Sequence, residues 1–173
     1  MERKGLVTSK GKPLTLLGPE LKVGEKAPDF TVIDKGMLEV SLGDFVNTAK
    51  LISTTPSLDT AVCDAQARRF NEEAAKLGDG IAIINVSMDL PFAISRFCST
   101  ASIDRIKTFS DYRHASLGVA FGILIKELRL LTRSIFLLDK DNVIKYIEIV
   151  PEMSHAVDFD KALAAARDLL ARK

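Results

Sequence analysis

Tryptophan is absent from this 173-residue chain, and aromatics make up 6% of it, which leaves little to build a base-stacking surface for nucleic acid. Neither sign of charge is in excess. Lys plus Arg is 24, Asp plus Glu is 23 and the formal net charge is +1, so nothing asks for a nucleic acid or an anionic membrane as partner. No stretch reaches the roughly 18 uninterrupted apolar residues that a transmembrane helix needs. The opening segment "MERKGLVTSKGKPLTLLGPE" starts with positive charge but lacks the apolar run of a signal peptide, so the cytoplasm is the expected location. Cysteine occurs twice, as Cys63 and Cys98, too few for a disulfide scaffold. In a reducing compartment such a pair is inert packing, metal binding or redox chemistry. The two cysteines, His114 and His155 lack the paired close spacing of a zinc site, and no Gly-rich phosphate loop occurs, so neither metal nor cofactor is expected. Repeats and low-complexity segments are missing too.

What remains is the profile of a globular protein, 47% hydrophobic and 27% charged, and its length points to one domain over residues 1–173. Thr8 to Leu17 reads as a hairpin turning at "SKGKP", part of an N-terminal extension covering about residues 1–20. "DFTVIDKGMLEVSLGDF" reads as two short strands and a helical turn, and "AKLISTT" (Ala49 to Thr55) as a strand entering the core. A helix is predicted from Ala61 to Leu77, with Ala67, Phe70, Ala74 and Leu77 on its apolar face and Arg68, Arg69, Glu72 and Glu73 on its polar one. Gly78 and Gly80 end it. "IAIINVSM" has the length and continuity of a buried strand, and Pro91 opens a short helix through "LPFAISRFCST". Lys107 to Ser110 reads as a strand and Ala115 to Phe121 as a short helix. A hairpin pairs "RSIFLLD" with "VIKYIEIV", and a helix over Phe159 to Arg172 closes the order. Parallel crossovers in front and an antiparallel pair behind give an α/β chain: a mixed central sheet flanked by helices, fitting a thioredoxin-like fold with an N-terminal β-hairpin extension.

The segment "TTPSLDTAVCDAQARRF" carries the chemistry. With Thr60 as N-cap, Cys63 becomes the third residue of the helix, and the threonine hydroxyl is expected to accept from a first-turn N–H. Unpaired N–H groups and the positive dipole end favour a thiolate there. An ordinary thiol is only a few per cent ionised at neutral pH, and half ionisation takes roughly 2 kcal/mol. An exposed helix end supplies about 0.3–1 kcal/mol, so the position calls for a nearby cation. Taken alone, Thr60 and Cys63 read more readily as a cap and a packed thiol than as a reactive pair.

"PSLDTAVC" (Pro56 to Cys63) resembles the reactive loop of the peroxiredoxins, P-x-x-x-T-x-x-C, and in its local form the thiol peroxidase subfamily, the bacterial atypical 2-Cys type. "MDLPFAISRFC" (Met88 to Cys98) is similar to that subfamily's segment with the resolving cysteine, and "TRSIFLLDKDNVIKY" to the strand with its active-site arginine. The resemblance runs over essentially the full chain. It implies that Cys63 is the peroxidatic nucleophile, that Thr60 holds the thiolate and the peroxide oxygen, and that Pro56 shields the sulfur from water. It makes Arg133 the required cation and Cys98 the resolving cysteine. The polar "STT" before Pro56 departs from the apolar or aromatic residues of relatives, which bears on the pocket wall and substrate preference.

The resemblance further implies a hydroperoxide substrate, an intramolecular Cys63–Cys98 disulfide, recycling by thioredoxin, and a homodimer to which the segment Ser110 to Gly122 contributes, with Arg113 either supporting the site or purely structural. Cys63 and Cys98 are expected to lie too far apart to bond in the reduced state, so that helix ends unwind in each cycle. Two rival readings use the same residues: a redox-sensing interaction protein, and an inactive homologue with two packed cysteines.

Overall fold

The structure, a computed structural model, describes residues 1–172. In chain order the strands and helices are β1 (Glu2–Ser9), β2 (Lys12–Leu17), β3 (Thr31–Ile33), β4 (Glu39–Ser41), β5 (Ala49–Thr54), α1 (Ala61–Leu77), β6 (Ile81–Ser87), α2 (Pro91–Ala101), β7 (Lys107–Ser110), α3 (Ser116–Ala120), β8 (Leu124–Ile125), β9 (Leu130–Leu131), β10 (Ser134–Leu138), β11 (Ile144–Ile149) and α4 (Phe159–Ala171). Seven strands make the main sheet, ordered β11-β10-β5-β6-β7-β3-β4, and β1-β2-β8-β9 make a second. Strands β5, β6 and β7 run parallel at the centre, while β10 and β11 pair antiparallel beside β5. This is the mixed sheet expected from the order of elements.

Both faces of that sheet are covered, which is why β6 reads as a continuous apolar run rather than an alternating one. On one face α1, α2 and α4 bury Ala67, Phe70, Ile94, Ala162, Leu163 and Ala166 against Leu51, Ile83, Ile135 and Leu137. On the other, α3 and the loops around it bury Phe30, Leu117 and Phe121 against Ile52, Ile84, Val86 and Phe136. The crossover β5–α1–β6 places the start of α1 at the carboxyl edge of the parallel strands, where side chains from several elements converge.

The N-terminal hairpin is longer than its sequence pattern suggests, reaching back to Glu2 across an irregularity between Lys4 and Val7. Lys10 (φ 50°) and Gly11 (φ 76°) form its left-handed two-residue turn. One side of the hairpin pairs with β8, and Thr8 bridges in parallel to Glu152 after β11. Glu73 departs from expectation. It does not lie on a solvated face of α1 but is 1% exposed, because Arg167 of α4 reaches over it at 3.1 Å to join Lys76 at 2.8 Å and Arg69 at 3.4 Å.

Asp111, 1% exposed after β7, accepts from the backbone N–H groups of Leu117 (3.2 Å) and Gly118 (2.7 Å) and so fixes the entry to α3. Burial pushes its carboxyl up to about 6, although those N–H groups pull the other way. The folded protein therefore holds a proton here that the unfolded chain has lost, and stability should fall as pH rises from about 4 to about 6. Asp111→Asn should flatten this part of the melting-temperature profile; an unchanged slope in the variant would assign it to other groups.

Candidate active site

After β5 the chain turns through Thr55 and the buried Pro56, then enters α1 at Thr60, whose backbone is extended (φ −128°, ψ 146°). Asp64 N–H closes the first helical bond on Thr60 O at 2.9 Å, so Cys63 is the third helical residue, as the spacing predicts. The expected cap bond is not made. The exposed Thr60 hydroxyl instead donates back to Ser57 O at 3.3 Å. The loop is held from another direction: Asp89 accepts from Ser57 Oγ and Leu58 N, each at 2.7 Å, and from Ser87 Oγ at 2.8 Å. Asp89 thus ties the loop before Cys63 to the segment leading into α2. Its role is not read from the sequence, where its place in "MDLPF", two residues before Pro91, is the available signal.

Cys63 is fully buried. Cavities of 570 Å³ beside Arg105 and Lys107 and of 720 Å³ against α4 are lined by other residues, so neither opens onto its sulfur. Its polar neighbour is Arg133, 2% exposed, whose Nη2 donates to Sγ at 3.2 Å and to Met153 O at 3.2 Å. Nη1 donates to Gln66 Oε1 at 2.8 Å, and Gln66 Nε2 in turn donates to Ser53 Oγ at 2.7 Å. Gln66 lies one helical turn beyond Cys63, and its contact with Arg133 was not read from the sequence. Ser53, part of the departing "STT", is the residue that anchors it.

No carboxylate pairs with Arg133 among the described residues. A guanidinium taken out of water without a counter-charge is costly. Of the groups touching it, an amide oxygen and a backbone carbonyl are neutral, and only the sulfur can become an anion. The arrangement thus places a fixed, unneutralised positive charge on the one nucleophile it contacts.

Cys98 sits in the last turn of α2, 5% exposed, with Sγ 3.6 Å from Thr108 Oγ1 on β7. Both cysteines are free thiols. A row of buried polar side chains crosses the sheet beneath the two helices: Ser53 on β5 pairs in register with Asn85 on β6, and Asn85 with Thr108 on β7. Ser53 reaches α1 through Gln66, and Thr108 reaches α2 through Cys98. Between them, Asn85 is 1% exposed with neither amide atom bonded. Arg113 and His114 lie elsewhere, both against Glu39, and His155 is exposed. No cluster of three metal-ligating side chains occurs among the described residues.

The description of the redoxin family matches residues 22–165. The thiol peroxidase of Bacillus subtilis is 51% identical over 164 residues, covering 95% of this chain and 98% of that protein. The thiol peroxidase of Halalkalibacterium halodurans is 49% identical over 164 residues with the same coverage, 95% and 98%. Among solved structures, a peroxiredoxin-like protein from Aquifex aeolicus superposes with a TM-score of 0.89 at 37% identity, covering 96% of this chain and 98% of that one. The thiol peroxidase of Chromobacterium violaceum, at 22% identity and a TM-score of 0.84, shares the fold.

A buried amide with no partner costs about 1–3 kcal/mol. Asn85→Leu, close in volume, should therefore stabilise the reduced protein and raise its melting temperature by about 2–12 °C, at about 2–4 °C for each kcal/mol. A lower melting temperature would show that the amide is satisfied after all.

Proposed function

Because the chain belongs to the redoxin family, and within it to the thiol peroxidases, we propose that it reduces hydrogen peroxide and organic hydroperoxides to water or alcohol, with Cys63 as the attacking thiolate. The sulfur attacks the terminal peroxide oxygen; an S–O bond forms as the O–O bond breaks, the other oxygen leaves and is protonated to water or alcohol, and Cys63 becomes a sulfenic acid, the reversible first stage of thiol oxidation. Arg133 stabilises the charge as it moves from sulfur to the leaving oxygen, together with N–H groups of the first turn of α1. Thr60, exposed at the mouth of the loop, turns its hydroxyl from Ser57 O toward the incoming peroxide. Pro56, buried and without an N–H, lines the loop and keeps water from the sulfur. The observation that carries this reading is the 3.2 Å contact between a buried, carboxylate-free arginine and a buried thiol at the third position of a helix.

Cys98 then attacks the sulfenic sulfur, water leaves, and an intramolecular disulfide forms. A dithiol reductant restores both thiols by exchange, thioredoxin being the candidate by family resemblance. The reaction needs no metal or cofactor. The same reading includes a homodimer and a cytoplasmic location. That no helix among the described residues is long and apolar enough to cross a membrane is compatible with it.

Each cysteine has its own partner in the reduced form, Arg133 for one and Thr108 for the other. Disulfide formation therefore breaks both contacts, and the start of α1 and the end of α2 must loosen. Amide exchange around Cys63 and Cys98 should be faster in the oxidised protein. Equal protection in both redox states would contradict the motion.

Three variants test the chemistry by hydroperoxide consumption with a dithiol reductant. Cys63→Ser should abolish turnover. Cys98→Ser should keep the fast reaction of Cys63 and stop at the sulfenic acid. Arg133→Gln should slow the first step by about 10²–10³-fold, the typical effect of removing one such donor. Full activity in Cys63→Ser would refute the assignment.

A further inference from the structure

Arg133 is held partly by a backbone carbonyl, that of Met153, which lies in the irregular segment between β11 and α4. A loop carbonyl orients a guanidinium only as well as the loop itself is fixed. What fixes this one is the N-terminal hairpin. Thr8 N–H donates to Pro151 O at 2.7 Å and Met153 N–H to Thr8 O at 3.0 Å, bracketing Glu152. The Glu152 carboxylate then gathers the hairpin turn. Its Oε2 accepts from Thr8 Oγ1 at 2.8 Å and Gly11 N at 3.2 Å, and its Oε1 from Lys10 N at 3.0 Å. Ser154 adds its N–H at 3.3 Å and its hydroxyl at 3.2 Å to Oε1.

The positive φ angles of Lys10 and Gly11 aim successive N–H groups at one point, the arrangement that favours an anion. The Thr8 hydroxyl, followed by the Gly11 and Lys10 N–H groups, holds the Glu152 carboxyl down at about 2. It is therefore ionised throughout the physiological range. Both of its oxygens receive only donors. An amide in its place would turn its own NH2 against N–H groups, whichever way it faced.

We infer that Glu152 is a positioning residue for the peroxidatic step: by clamping the turn of the N-terminal hairpin to residues 151–154 it fixes the Met153 carbonyl, and through it the Arg133 guanidinium on Cys63. The inference rests on the peroxidase reading above. It gives the hairpin a part in the chemistry, although among the described residues none of its side chains is hydrogen-bonded to Cys63 or Arg133. The clamp acts through Arg133, so its effect must depend on that side chain. A contribution to general stability would not.

The test is a double-mutant cycle on the reduced full-length protein, reading the rate of Cys63 oxidation by hydrogen peroxide and its alkylation by iodoacetamide. Glu152→Gln should lower both rates about tenfold in the native background and less than twofold in Arg133→Lys, with Glu152→Asp recovering part of the loss. Glu127→Ala is the control. Glu127 anchors the same hairpin from its other side, through Thr15 N at 3.0 and 3.1 Å, without contacting residues 151–154, and both rates should be unchanged. Native rates in Glu152→Gln, equal losses in both backgrounds, or a like loss in Glu127→Ala would each overturn the clamp while leaving the peroxidase reading intact. A native protein whose Cys63 ignores hydrogen peroxide would overturn both.

Discussion

A buried arginine with no carboxylate is the constraint around which this site is arranged. Arg133 loses its water just before β10 and meets one sulfur, one amide oxygen and one backbone carbonyl. Had Asp or Glu occupied the place of Gln66, the cation would be neutralised and its pull on the sulfur weakened. Gln66 instead supplies direction without charge, and passes its own hydrogen-bonding need to Ser53 on β5. The polar strand end "STT", unusual beside a core, follows from this. Thr54 likewise bonds across the sheet to Ser134 Oγ at 2.6 Å and to Thr132 O at 2.7 Å, locking β5 against the segment that carries the arginine.

The same economy of charge extends to the surroundings of Cys98. Cys98 has a hydroxyl neighbour and no cation, so the two thiols of one chain sit in opposite surroundings: one against a guanidinium, the other packed in the core cluster beside Ile94 and Ala101. The polar row Ser53–Asn85–Thr108 runs between these surroundings, under the two helix ends that the proposed disulfide would loosen. Asn85 leaves its amide unbonded there, which makes the close seating of α1 and α2 less favourable than an all-apolar floor would. Local opening is thereby cheaper at the place where the proposed disulfide would require it.

Much of this was legible in the sequence because the signals were local. The cap position of Thr60 and the apolar spacing of Ala67 and Phe70 fixed α1, and the continuous run of β6 announced a strand covered on both faces. Cys63, Cys98 and Arg133 stand out by motif resemblance, and the weakness of a helix end alone already calls for a cation, which the fold supplies as Arg133 at 3.2 Å from Cys63 Sγ. What stayed hidden depends on contacts between distant segments. Gln66 looks like an ordinary polar helix residue until Arg133, 67 positions away, is folded against it. Glu73 looks solvated until α4 brings Arg167 across. Asp89 and Glu152 each hold a loop from more than 30 positions away, and no periodicity reports that. The Thr60 hydroxyl was misread for a local reason: Ser57 O, three residues earlier, competes for it with the helix N–H groups.

The most direct measurement treats the reduced protein with one equivalent of hydroperoxide per chain, then counts free thiols and weighs the intact molecule. Loss of both thiols is expected, with a mass lower by about two hydrogens, no covalent dimer, and a proteolytic fragment joining Cys63 to Cys98. Two free thiols at unchanged mass would contradict it. Arg133 would then be guarding a packed cysteine, not a reactive one.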